Sequence, residues 1–91
     1  MATEQTHVAM PPVETLIAEV VATLGAAAYA YMGEGPSGPA VPDLGAAEAA
    51  IDVASQAFER IRGRLPADTR LAVSEMLTNV RMTFVRKRGN S

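Results

Sequence analysis

Residues 43–65 read DLGAAEAAIDVASQAFERIRGRL. Apolar side chains recur at Leu44, Ala47, Ile51, Ala54, Phe58, Ile61 and Leu65, in strict steps of three and four. That spacing lines them along one face of an α-helix. Glu48, Asp52, Gln56, Glu59 and Arg62 take the other face. Asp43 follows Pro42 and is placed to cap the free amides of the first turn. Gly63 stands near the end. The pattern predicts an amphipathic helix over 43–64, the clearest in the chain.

Working outward, Pro66 suits the start of a further helix over 66–87, and Asp68 adds negative charge to its first turn. Val73, Met76, Leu77, Val80 and Phe84 form one stripe on it, and Leu71, Thr78, Met82 and Val85 a second, roughly opposite. Two stripes ask for two buried faces. On the other side, residues 33–42 hold three prolines and three glycines, which makes them a linker.

Ahead of the linker, residues 13–32 form a third helical segment. Val13, Ile17, Val20, Leu24, Ala27 and Tyr31 follow a heptad seam, widened by Leu16, Val21 and Ala28. The opposite face is not polar: Ala18, Ala22, Ala26 and Ala30 make a small-residue ladder with Gly25 beside it. A helix apolar nearly all round is buried on more than one side. Two short partner helices from the same chain hardly cover it, so an oligomer is expected. The expected interface is Val13, Ile17, Val20, Ala22, Leu24, Ala26 and Tyr31.

The fold class is therefore all-α. One helical domain spans 13–88, with an N-terminal arm over 1–12 and a tail over 89–91. The short connection predicts an antiparallel hairpin for the second and third helices. The first helix then packs in an oligomeric bundle, most simply a dimer.

Composition agrees with one small domain. Of 91 residues 44 are apolar, but seventeen are alanine and only 25 are Leu, Ile, Val, Met or Phe. So thin a core is marginal alone. The absence of cysteine excludes disulfides, thiolate zinc sites and cysteine catalysis. Residues 1–7 have neither the basic nor the apolar region of a signal peptide. Residues 20–33 form a run of 14 uncharged residues, short of the ~20 a membrane span needs. The expectation is a cytoplasmic protein with no membrane association.

Charge is polarised. Residues 1–59 hold eight acids and no Lys or Arg, while residues 60–91 hold eight bases and two acids. Arg60, Arg62, Arg64, Arg86, Lys87 and Arg88 are candidate nucleic-acid contacts, with Arg70 nearby. They also fall in the last turns of the two later helices, where bases complement the helix dipole. Tyr29, Tyr31, Phe58 and Phe84 are the only aromatics, so there is little to stack on bases. The expectation is dipole-matched solvated faces, with RNA or ribosome contact as the alternative. Asp52 and Arg81, each at the edge of an apolar stripe, are read as a structural ion pair between the second and third helices.

No enzyme is expected, and no metal or cofactor. His7 is the only histidine, with no second ligand at metal spacing and no Ser or Thr of the helices near it. Residues 33–38 spell the glycine pattern of dinucleotide-binding proteins. That motif needs a strand before it and a helix opening within it. Here a helix precedes the glycines, and Pro36 and Pro39 prevent another from opening among them.

Three short features carry a family resemblance. Asp43-Leu44 leads through alanines to Ala50-Ile51-Asp52. Gly63-Arg64-Leu65 opens the turn. Val80-Arg81-Met82-Thr83-Phe84-Val85 closes the chain with a hydrophobe, Arg, Met, any residue, an aromatic and Val. In these the chain resembles a bacterial family of small proteins, domain-of-unknown-function family 1844. It departs at Pro66-Ala67-Asp68-Thr69, where members commonly carry a Thr-Pro-Glu-Glu type helix start. The resemblance implies a small, mostly helical cytoplasmic protein and brings no activity, cofactor or catalytic residue. On these readings the protein is a non-enzymatic, self-associating interaction module.

Overall fold

The computed structural model describes residues 9–89. Three helices carry the chain: α1 (Val13–Tyr31), α2 (Leu44–Ile61) and α3 (Ala67–Gly89), with a 3-10 turn at Arg62–Arg64. Among the described residues there is no strand, as an all-α chain requires. Residues 9–12 are exposed and outside any helix. The rest of the expected arm, His7 included, and the last two residues of the tail lie outside the described residues.

Local chemistry sets each boundary. Asp43 Oδ1 accepts a hydrogen bond from the Ala46 N–H at 3.0 Å, which caps α2. At the other end α2 stops at Ile61, three residues short of the expected limit. The chain tightens there into the 3-10 turn. Arg70 closes this end by donating to the carbonyls of Arg62 at 3.1 Å and Leu65 at 3.4 Å. It thereby satisfies acceptors that the end of a helix leaves open. Pro66 precedes the first residue of α3, and its carbonyl accepts from the Arg70 N–H at 2.9 Å.

The linker is folded against α1 rather than extended. The Glu34 N–H donates to Tyr29 O at 2.9 Å, and the Asp43 N–H donates to Tyr31 O at 2.8 Å. Gly38 has φ of 136°, and a Cβ there would overlap the carbonyl oxygen of Ala30. Only glycine permits that backbone to come so close.

α1 packs most extensively on α2. Val21, Ala28 and Met32 meet Ala47, Ala50, Ile51, Ala54, Phe58 and Ile61, and Leu65, Leu77 and Val80 complete the core. Much of this contact is alanine, which lets backbones approach closely but fills little volume. Gly25 is buried where α1 passes α3, and a Cβ on it would stand 2.5 Å from Met76 Sδ. The close approach therefore runs along Val21, Gly25, Ala28 and Met32, not along the Ala18-to-Ala30 ladder. The molecule measures 61 × 28 × 18 Å with a radius of gyration of 16.4 Å. A globular chain of this length would have about 12 Å. The thin shape leaves Val53, Leu71, Met82 and Val85 more than half exposed, in addition to the outer face of α1.

By length and composition alone, α1 is also long and apolar enough to cross a membrane. It carries Glu14 and Glu19, and its Val21 and Ala28 are fully buried by the same chain.

Candidate functional site

The expected interface on α1 is divided by the fold. Ile17 and Leu24 are partly buried and pack against the chain's own core. Val13, Val20 and Tyr31 remain 50%, 51% and 39% exposed, and Leu16 joins them at 37%. These four fall on one side of α1 at steps of three, four and eleven residues, which keep a helical register. Ala22 and Ala26 are exposed as well. Ala22 lines a cleft of about 540 Å³ between α1 and the 3-10 turn, together with Pro12, Ala18, Leu65 and Pro66. α1 thus offers two open surfaces, an apolar seam and this cleft, on either side of its buried row.

The candidate nucleic-acid residues separate into two groups. Arg60, Arg62 and Arg64 lie around the 3-10 turn, and Arg86, Lys87 and Arg88 lie in the last turn of α3. The length of α3, about 34 Å, stands between them. Several are engaged within the chain. Arg62 holds Glu59 at 3.1 Å and lies 5.6 Å from the Phe58 ring centroid. Arg64 Nε donates to Glu14 Oε1 at 3.0 Å, tying the start of α1 to the 3-10 turn. Lys87 Nζ lies 2.7 Å from Glu34 Oε2, which pins the linker to α3. Arg88 lies 5.6 Å from the Phe84 ring centroid.

Two of these ties shift the acids they hold. A hydrogen bond from its own backbone, and next to it Arg64, lowers the Glu14 carboxyl below its ordinary value of 4.5. The hydrogen bond from Lys87 lowers Glu34 in the same way. A carboxyl lowered in the folded chain stabilises it above its ordinary value, and that contribution is lost as pH falls through the lowered one. Acid should therefore loosen α1 and the linker from the rest. Thermal melts followed by circular dichroism between about pH 5 and pH 3 should fall less steeply in a Glu14→Gln/Glu34→Gln variant than in the wild type. Both ties are partly exposed, so the effect is modest.

The Asp52–Arg81 ion pair is not formed. Arg81 donates instead to the Ser55 hydroxyl, one turn further along α2. Ser55 in turn donates to Ile51 O at 2.8 Å. Asp52 is exposed and shares with Arg81 only the wall of a shallow groove, beside Glu48, Phe84 and Val85. The register of α2 on α3 thus brings position 55, not 52, opposite Arg81. Sequence reasoning missed Ser55 because a serine on a helix flank carries no periodic signal. Arg70 falls near the basic patch in sequence, but its guanidinium is spent on turn carbonyls.

Among the described residues no group of His, Asp and Glu is placed to hold a metal. Every buried side-chain nitrogen and oxygen among them has a partner, Thr83 by donating to Asn79 O at 3.0 Å.

Fold and surface together define a class: a small three-helix chain with a thin alanine-rich core and an outward apolar seam. The chain belongs to the family described as domain of unknown function (DUF1844), whose model matches residues 14–86. The match includes α1 and so extends beyond the motifs at residues 43–85. No curated protein and no solved structure matches the chain.

Proposed function

We propose that this protein is a non-enzymatic interaction module that self-associates through the outer seam of α1. The observation that carries the reading is the row Val13, Leu16, Val20 and Tyr31, left exposed on a helix whose adjacent row, Val21, Gly25, Ala28 and Met32, is buried in the chain's own core. In the proposed assembly α2 and α3 form an antiparallel hairpin. The Arg81–Ser55 bond supports this, as does the shared lining of one notch by Ser55, Phe58 and Arg62 on one side of the connection and Ser74, Thr78 and Arg81 on the other. A second copy covers the seam to give a dimer, and a cytoplasmic location is proposed with it. The acids on α1 weigh against a lipid partner, because anionic headgroups repel them.

Magnitudes set the strength of association. Burying the exposed parts of these four side chains is worth on the order of 1 kcal/mol each. A two-fold contact doubles the set to about 8 kcal/mol. Association costs about 4–15 kcal/mol. The gain and the cost are of one order, so the dimer should be reversible and concentration-dependent.

The RNA or ribosome reading has less support. Its basic groups stand at opposite ends of α3, and Arg62, Arg64 and Lys87 are already ion-paired. Co-expression of tagged and untagged full-length chains separates the two readings. The untagged copy should be recovered with the tagged one, with or without nuclease, in about 0.5 M salt, where phosphate contacts weaken steeply. Recovery of RNA or ribosomal material without the untagged copy, lost on nuclease or salt treatment, would overturn self-association as the main activity.

A further inference from the structure

We propose that the notch between α2 and α3 beside Arg81 binds a single phosphate group. The core contacts of these helices are apolar, through Ile51, Phe58, Leu77 and Val80. At this one place Ser55, Ser74, Thr78, Arg62 and Arg81 converge, with Glu59, on a notch of about 100 Å³. That is space for roughly three waters, which suits one tetrahedral oxyanion and is too small for a nucleoside.

Both guanidinium groups are held in place by contacts that leave donors over. Arg81 gives one N–H to Ser55, whose own hydroxyl hydrogen is committed to Ile51 O. Ser55 therefore acts as a fixed acceptor that orients Arg81. Arg62 uses Nη1 on both oxygens of Glu59, at 3.3 and 3.1 Å, and rests over the Phe58 ring. A planar guanidinium held on one edge presents its other N–H groups as a fork that fits phosphate oxygens. Ser74 and Thr78, four residues apart on α3, line the same notch. They supply neutral donors to the oxygens that the arginines leave. Two guanidinium charges against one carboxylate leave the notch positive. Arg81 also borders the adjoining groove, lined by Ile51, Phe84 and Val85 with the carboxylates of Glu48 and Asp52 at its edge. The body of a small phosphate monoester has room there.

The test uses ¹⁵N-labelled full-length protein at neutral pH and constant ionic strength, with sodium phosphate titrated in place of sodium chloride. The expected result is a saturable change at the amides of Ser55, Ser74 and Thr78 and at Arg81 Nε–H, which chloride does not produce. Arg81→Gln should weaken phosphate binding by at least tenfold. Thr78→Val, at an exposed position, should weaken it about threefold; it serves as the test if the Arg81 variant loses helicity. Identical, non-saturating changes with phosphate and chloride would overturn the site, and so would wild-type affinity in a folded Arg81→Gln variant. Phenyl phosphate identifies the source. Tighter binding than orthophosphate assigns the site to a phosphorylated small molecule, and equal binding assigns it to free phosphate.

Discussion

Phe58→Ala is expected to cost about 3–5 kcal/mol of folding stability. A chain of this length has about 5–14 kcal/mol in total. Phe58 is 4% exposed and sits in the row of α2 that faces both other helices. Its neighbours in that row are Ala54 one turn before and Ile61 one turn after, and the alanine has no side-chain length with which to refill a cavity. The variant also removes the ring beneath Arg62. Urea denaturation at fixed protein concentration measures the loss, because a self-associating chain has concentration-dependent stability. The midpoint should fall sharply with little change in slope. Val53→Ala, at a position 53% exposed on the same helix, should change stability by less than about 0.5 kcal/mol. Equal losses in the two variants would mean that Phe58 is not the centre of the core.

Val20→Glu is expected to convert the assembly to monomer while leaving helicity intact. Val20 is 51% exposed, so the new carboxylate reaches water in the free chain. Across a two-fold seam it would instead face apolar side chains and the same carboxylate from the second copy. Burying an unpaired charge costs several kcal/mol, enough to cancel an association worth about 8 kcal/mol before its entropic cost. Light scattering over a concentration series reads the mass, and circular dichroism reads the helices. Val21→Glu is the contrasting variant. Val21 is fully buried one residue away, so that change should abolish helicity and the assembly with it. An unchanged mass for Val20→Glu would place the interface elsewhere.

Much of the fold is legible along the chain. The pattern predicts α2 over 43–64, and the helix runs Leu44–Ile61 with Asp43 as its cap. It predicts α3 over 66–87, and the helix runs Ala67–Gly89. Both stripes of α3 are visible as periodic residues. The first of them is in or against the core, and Leu71, Met82 and Val85 of the second are exposed. The candidate site is less legible. The heptad seam of α1 includes Ile17 and Leu24, which face inward, as well as Val13 and Val20, which face outward. The Ser55–Arg81 bond and the Lys87–Glu34 and Arg64–Glu14 pairs join segments far apart in the chain. Long flexible side chains meet or miss by ångströms, and periodicity does not resolve ångströms.

By itself the sequence determined the helices, the Asp43 cap of α2, the linker and the thinness of the core. These depend on local propensity and on which residues recur every three or four positions, and both are properties of a single segment. Only the tertiary structure decided which face of α1 turns inward. That helix is apolar nearly all round, so its own pattern favours no direction. The choice went to the row Val21, Gly25, Ala28 and Met32, whose small residues allow the closest approach to α2 and α3. The same choice left Val13, Leu16, Val20 and Tyr31 outside.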